Sequence, residues 1–161
     1  ERFAALTQRL LALEPRFEEL GRLTEFEFTT ALAYLYFAEE KTDLCVVECG
    51  LGGRDDATNV IGPPLAAVLT PVALDHTALL GDTIQEITTV KCGICKPPCT
   101  VISSPGQTAE ALGVIMETAA ARGLTVRMRR LRRRSRVGWR LFTAAGGIFS
   151  GLRGAFSGIM R

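Results

Sequence analysis

Three side chains in this 161-residue sequence have the chemistry to hold a divalent cation: Glu48, His76 and Lys91. Glu48 ends the apolar run "DLCVVE", where a carboxylate is costly unless it finds a cation or hydrogen-bond donors. Magnesium would satisfy it, because hard cations take oxygen ligands. An ion pair with Arg54 is the equally weighted alternative. His76, the single histidine, follows an apolar run in "LDHT", where an exposed imidazole is expected to act; the alternative is a structural hydrogen-bonding role.

Lys91 lies on one face of a predicted helix together with Ile84 and Ile87, because positions 84, 87 and 91 are spaced by three and four residues. The two isoleucines mark that face as buried. Burial makes a lysine easier to deprotonate, and a neutral amine can react with carbon dioxide to give a carbamate that holds a metal. The alternative is a side chain that reaches solvent from the helix end.

The stretch "KCGICKPPC" after this helix contains three of the five cysteines. Structural zinc sites usually take four ligands from two separated pairs, and a redox C-x-x-C usually opens a helix, whereas this one closes a helix. We therefore interpret the stretch as important for its lysine. The odd number of cysteines, with no export signal, predicts reduced thiols and a cytoplasmic location.

The segment "GLGGRDDATN" is rich in glycine but matches neither G-x-G-x-x-G nor G-x-x-x-x-G-K-[ST]. We expect its glycines to let the backbone turn closely past a ligand, with four side chains as polar contacts: Arg54, Asp55, Asp56 and Asn59.

The surrounding pattern predicts helices and strands that would position these residues. Helices are expected over "RFAALTQRLLAL", over residues 25–40 with a Thr24–Glu27 capping box, from a cap at Asp82 to about Cys92, and over "TAEALGVIMETAAARG". Buried strands are expected at "DLCVVEC", "AAVLTPVAL", "TVISS" and "LTVRM". Alternating strands and helices predict an α/β domain with a mostly parallel sheet, whose ligands bind at the carboxyl ends of the strands.

The sequence changes character near residue 127. Residues 127–161 hold ten of the 19 basic residues and none of the 17 acidic ones. We therefore predict a domain over residues 1–126 and a basic, glycine-rich tail over 127–161, with a shifted reading frame as one hypothesis for its origin. Ten positive charges could bind nucleic acid, which is the alternative function. The longest apolar stretch is far short of the ~20 residues of a membrane span.

Two stretches, "LTEFEFTTALAYLYFAEEKTDLCVVECGLGGRDDATNVI" and "LDHTALLGDTIQEITTVKCGICKP", closely resemble folylpolyglutamate synthase and its dihydrofolate synthase relatives in the Mur ligase family. The resemblance implies a partial Mur-type central domain, magnesium held by Glu48 and His76, and Lys91 as the carbamylated lysine. It further implies a pterin-bearing substrate against these residues: Thr24, Glu25, Phe26, Glu27, Asp55, Asp56 and Ala57.

The activity that this resemblance implies is ATP-dependent amide ligation. ATP would phosphorylate a carboxylate of folate or dihydropteroate, and L-glutamate would then form the amide, in a monomeric protein with magnesium as cofactor and no membrane or nucleic-acid partner. The sequence departs from the family at Asp55, where an apolar residue is usual, and at the cysteines after Lys91. The family's P-loop should precede Glu1, and its C-terminal domain is not matched either. We therefore expect an inactive fragment, or else a non-functional remnant.

Overall fold

The computed structural model describes residues 1–13, 15–16 and 21–128. The described residues fall into two units, one ending at Glu48 and the other beginning at Cys49. The predicted basic tail lies outside the described residues, apart from its first two positions. The boundary predicted at residue 126 stays a prediction.

The first unit is a pair of packed helices, α1 (Arg2–Leu11) and α2 (Glu25–Glu39). Leu6 and Leu32 are buried, and Arg9 pairs with Glu39 across the two helices. The predicted capping box is confirmed: Thr24 Oγ1 accepts a hydrogen bond from the Glu27 amide at 3.2 Å, and Glu27 Oε2 accepts one from the Thr24 amide at 2.7 Å. These bonds satisfy amides that a helix start leaves without partners.

The strand predicted at "DLCVVEC" does not form: residues 44–49 have no strand assignment, and Leu44 and Val46 are 59% and 58% exposed. Composition supplies β propensity, but a strand also needs a hydrogen-bonded neighbour, and no described strand pairs with this run. Glu48 therefore ends an extended segment and not a sheet strand.

The second unit is built on a parallel sheet of three strands in the order β1 (Ala66–Leu69), β2 (Thr100–Ser103) and β3 (Thr125–Met128). The connection from β1 to β2 carries α3 (Thr77–Leu80) and α4 (Ile84–Lys91), and the connection from β2 to β3 carries α5 (Ala109–Ala121). The predicted α/β class and parallel sheet are thereby confirmed.

One face of this sheet forms the core. Ala67, Leu69 and Val101 are buried with Ile115 of α5, while Val68 on the opposite face of β1 is 44% exposed. The prediction that β1 is buried on both faces is therefore wrong for the described part of the chain, because its alternating side chains are covered on one side.

Two local expectations need correction. The strand expected over "AAVLTPVAL" stops at Leu69, two residues before Pro71, because proline has no amide hydrogen to donate to a sheet. Helix α4 is capped by Thr83, and not by Asp82: Thr83 Oγ1 accepts from the Glu86 amide at 3.2 Å. Asp82 contributes through its backbone amide, which donates to Glu86 Oε2 at 2.9 Å.

Candidate active site

Lys91 is the last residue of α4 and is half-buried, on the same face as Ile84 and the fully buried Ile87. Within the described residues, the structure gives its side chain no hydrogen bond or ion pair. The helix end is fixed by the loop that begins at Gly53, whose neighbour Arg54 donates its amide to the Val90 carbonyl at 2.9 Å. The backbone of Lys91 is therefore fixed, while its side-chain amine has no partner among the described residues.

Glycine is required at the two places where the loop meets the turn after α4. A Cβ added at Gly53 would lie 2.8 Å from the Lys91 carbonyl oxygen, and one added at Gly93 would lie 2.7 Å from the Arg54 nitrogen. Both are shorter than real Cβ contacts. The expectation that these glycines allow approach to a ligand is therefore corrected for Gly53: its close neighbour is the protein's own backbone.

Asp56 organises the glycine-rich loop from inside. Its carboxylate is buried; Oδ2 accepts from the Leu51 amide at 2.8 Å, and Oδ1 accepts from the Thr58 amide at 2.9 Å and from the Thr58 hydroxyl. It thereby caps the 3-10 turn Ala57–Val60. These bonds account for the burial of a carboxylate at this position. Its predicted substrate contact stays a prediction.

Asp55 presents the exposed carboxylate of the same loop. It pairs with Arg54, whose guanidinium Nη2 lies 3.0 Å from Asp55 Oδ2. The hydrogen bond and the charge of Asp55 raise the pKa of Arg54 above its usual value. The alternative partner considered for Glu48, namely Arg54, is therefore engaged with its sequence neighbour. Both members of the pair are exposed to solvent.

His76 stands in the connection between β1 and α3, seven residues beyond the last position of the strand. Its φ of 50° is in the left-handed region, which is uncommon for residues other than glycine and frequent at functional positions. Asp75 Oδ1 accepts from the His76 amide at 2.8 Å, and Asp75 Oδ2 lies 3.7 Å from His76 Nε2. Both side chains are exposed, so the imidazole is accessible to a ligand.

Glu48 is also exposed, and its carboxylate makes no hydrogen bond or ion pair within the described residues. It closes the first unit, whereas His76 and Lys91 belong to the second. Among the residues that the structure describes, no group of three His, Cys, Asp or Glu side chains could hold a metal ion. A carboxylate and an imidazole suit a divalent cation chemically, and a carbamate on Lys91 would add oxygen ligands. That the three act together stays a prediction.

The first predicted substrate segment is the start of α2. Thr24 and Glu27 are occupied with each other, and the hydrogen bonds from the Thr24 amide and hydroxyl lower the pKa of Glu27. Glu25 is exposed and Phe26 is half-buried. These two side chains are the ones that the capping box leaves available.

The cysteines after Lys91 belong to the core. Cys92 and Cys95 are each 1% exposed, and none of the five cysteines forms a disulfide. A hydrogen bond between these two thiols lowers the pKa of Cys92 and raises that of Cys95, which burial raises further. Arg122 Nη1 donates to the backbone carbonyls of both, at 3.1 and 2.9 Å. The packing of Cys92 and Cys95 in the core explains why cysteines are found at these positions.

Two residues that hold the loop and the turn together were not recognised from the sequence. Asn59 Nδ2 donates to the carbonyls of Arg54 at 3.0 Å and Gly93 at 3.4 Å. Lys96 Nζ donates to the carbonyls of Asn59 and Ile61, the latter at 2.7 Å. Sequence reasoning assigned Asn59 to a ligand. The sequence did contain one indication of this role. Each of the two glycine-containing segments carries a side-chain donor, and such a donor can bond the backbone carbonyl groups of the other segment.

No helix within the described ranges is long and apolar enough to cross a membrane.

The described residues form an α/β fold on a parallel sheet, and the comparisons with known proteins show which proteins the chain resembles. No family model matches the chain. It is 48% identical over 102 residues to the dihydrofolate synthase/folylpolyglutamate synthase of Bacillus subtilis, which covers 63% of this chain and 23% of that protein. It is 52% identical over 81 residues to the folylpolyglutamate synthase of Lacticaseibacillus casei, covering 50% and 19%.

Solved structures give the same result. A folylpolyglutamate synthase–AMPPCP–folate complex matches with a TM-score of 0.68 and 42% identity, covering 73% of this chain and 29% of that one. The Mycobacterium tuberculosis folylpolyglutamate synthase complexed with ADP matches with a TM-score of 0.69 and 30% identity, covering 78% and 30%.

The resemblance to the folylpolyglutamate synthase and dihydrofolate synthase family, a family of ATP-dependent ligases, is thereby confirmed over the matched segment. The chain spans about a fifth to a quarter of the length of these curated relatives.

Proposed function

We propose that this chain carries the magnesium-holding and pterin-facing segment of an ATP-dependent ligase that adds L-glutamate to folate or to dihydropteroate. The observation that carries the proposal is the 48% identity over 102 residues to an enzyme named for both activities. A cytoplasmic location and a monomeric state are part of the same proposal.

In the proposed reaction, the terminal carboxylate of the pterin-bearing substrate takes the γ-phosphoryl group of ATP, and ADP is released. The amine of L-glutamate then attacks the acyl phosphate, the amide bond forms and inorganic phosphate leaves. Magnesium, when held by Glu48, His76 and carbamylated Lys91, would supply charge neutralisation of the phosphates during this transfer.

The chain's own contribution is to hold and orient. Glu48 offers carboxylate oxygens, His76 an imidazole nitrogen, and Lys91 carbamate oxygens once its amine has reacted with carbon dioxide. The exposed carboxylate of Glu48 and the accessible ring of His76 support these roles. So does the helix end at Lys91, which is fixed through the bond from the Arg54 amide to the Val90 carbonyl. A ligand held on such a fixed backbone loses little freedom on binding the ion.

For the substrate, we propose contacts from the exposed residues of the two predicted segments. Asp55 and Glu25 carry carboxylates that can accept hydrogen bonds from the N–H groups of a pterin, and Phe26 offers a ring face. Thr24 and Glu27 shape the first segment by capping α2, and Asp56 with Ala57 shapes the second.

A segment exchange tests the proposal. The matched stretch of the Bacillus subtilis relative is replaced by the corresponding residues of this chain, and ATP-dependent addition of labelled glutamate to folate and to dihydropteroate is measured with saturating magnesium. We expect the hybrid to retain activity and Lys91→Ala in the same hybrid to lose it. Gly113→Ala, on the open surface of α5, is the matched control and should leave activity unchanged. A correctly folded hybrid without activity would contradict the proposed function.

A further inference from the structure

The link between the glycine-rich loop and the end of α4 has three layers within the second unit. The first is backbone packing: Gly53 lies against the Lys91 backbone, and Gly93 lies against the Arg54 backbone. The second is the hydrogen bond from the Arg54 amide to the Val90 carbonyl at 2.9 Å. These contacts bring the two segments close together. The backbone bond from Arg54 to Val90 does not, however, supply donors to the carbonyl groups of Arg54 and Gly93.

Side chains supply those donors. Asn59 Nδ2 reaches two carbonyl oxygens on opposite sides of the contact, that of Arg54 in the loop and that of Gly93 in the turn after Lys91. Lys96 reaches back in the other direction, to the carbonyls of Asn59 and Ile61. Every one of these partners is an acceptor, so the link depends on donors and not merely on side-chain size.

Lys91 lies between these bonds, one residue after Val90 and two before Gly93. Its backbone is therefore held on both sides by residues of the same loop, while its amine has no described partner. A side chain in that position is oriented by the groups that fix its backbone, in the way that outer residues orient metal ligands.

We propose that Asn59 is a positioning residue for Lys91: its amide holds the turn at Gly93 against the loop at Arg54, and so orients the Lys91 amine for carbamate formation and cation binding. Lys96 supports it by holding the Asn59 and Ile61 carbonyls. The proposal rests on the proposed function of Lys91. It adds that carbamate formation depends on a donor at position 59, which lies 32 residues away in the sequence.

The test uses the full chain with ¹³C-labelled bicarbonate and magnesium at mildly alkaline pH. Carbon NMR should show a carbamate signal in the unchanged chain that Lys91→Ala removes. Asn59→Asp keeps the shape of the side chain but replaces the donor with a carboxylate that faces two carbonyl oxygens. We expect it to reduce the carbamate signal and to weaken magnesium binding about tenfold, as loss of an outer-shell partner does.

Thr108→Ala is the matched control. It removes a hydrogen bond between a side chain and the backbone, in which Thr108 Oγ1 accepts from the Ala111 amide at 3.2 Å, in the same unit and outside the link. Melting temperatures of the two variants show whether their stabilities are comparable. We expect Thr108→Ala to keep the full carbamate signal and the unchanged magnesium affinity.

The outcomes separate the two proposals. If the unchanged chain shows no signal that depends on Lys91, the proposed role of Lys91 is wrong and this inference is wrong with it. If that signal is present and Asn59→Asp keeps both the signal and the magnesium affinity, the inference alone is overturned. If Asn59→Asp and Thr108→Ala reduce the signal equally, the effect is one of general stability, and the positioning role is likewise refuted.

Discussion

Two loops that carry candidate site residues are built in opposite ways. The glycine-rich loop is held in place from inside and outside. Its own residue Asp56 is buried, and backbone contacts at Gly53 and Gly93 fix the loop to the end of α4. The loop that carries Asp75 and His76 is open, with both side chains exposed and a left-handed backbone at the histidine. The comparison shows two different arrangements of candidate site residues. The backbone of Lys91 is held in place by packing against the glycine-rich loop, whereas the side chain of His76 is exposed to solvent.

The largest expected effect comes from breaking the glycine-rich loop at its tightest point. Gly93→Ala places a methyl group against the Arg54 backbone, which cannot move away as a flexible side chain would. We expect a loss of about 3 kcal/mol in the free energy of unfolding, the upper part of the range for overpacking. Gly113→Ala is the control, since nothing lies within 4 Å of its added Cβ, and it should stabilise α5 by about 0.5–1 kcal/mol. Urea denaturation measures both, and equal values would contradict the close packing.

The next effect comes from removing the buried carboxylate of the same loop. Asp56→Ala leaves the amides of Leu51 and Thr58 without their acceptor. Leaving buried donors unsatisfied should cost about 2 kcal/mol of unfolding free energy. Asp55→Ala, at the exposed neighbouring carboxylate, is the control and should cost less than about 0.5 kcal/mol. Similar losses for the two variants would show that the loop is not organised from inside.

A smaller effect is expected at the start of α4, which follows the open loop and α3 in the sequence. Thr83→Ala removes the cap of this helix and should cost about 1 kcal/mol of stability, as loss of an N-cap typically does. Thermal unfolding near neutral pH measures this change. Thr89→Ala, which removes an exposed hydroxyl bonded to the Gln85 carbonyl within the same helix, is the control and should change stability less.

The same cap predicts a dependence of stability on pH. Hydrogen bonds from the Thr83 hydroxyl and amide, and then from the Asp82 amide, lower the pKa of Glu86 below 4.5 in the folded protein. The unfolded chain therefore binds this proton more readily, so the contribution is present above about pH 4.5 and is lost as the pH falls through the folded pKa. Glu86→Gln should flatten this part of the acid unfolding curve. An unchanged curve would contradict the capping role of the carboxylate.

The smallest effect on stability is expected in the open loop. His76→Ala removes an exposed ring whose described polar neighbour is Asp75 at 3.7 Å, so unfolding free energy should change by less than about 0.5 kcal/mol. A loss as large as that for Asp56→Ala would show that His76 supports the fold, and the contrast between the two loops would disappear.

Features that depend on residues close together in the sequence could be predicted, and features that depend on distant residues could not. The helices and the capping box of Thr24 and Glu27 depend on residues three or four positions apart, and the structure confirms them. The parallel sheet was predicted from the alternation of apolar runs with helices. The run at residues 44–47 carried the same signal and formed no strand, because pairing depends on a partner that propensity does not specify.

The candidate site shows the same limit. Side-chain chemistry and similarity singled out Glu48, His76 and Lys91. The contacts that hold Lys91 in place join residues more than 30 positions apart, as between Asn59 and Gly93. No local period marks such a bond, and a polar residue in a glycine-rich loop suggests a ligand contact as readily as an internal one.

The most direct test of the account is a calorimetric titration of the full chain with magnesium in bicarbonate buffer, with His76→Ala and Lys91→Ala as the compared variants. The account predicts saturable binding by the unchanged chain and its loss in both variants, while both remain folded. Magnesium binding that is unchanged by either substitution would contradict it.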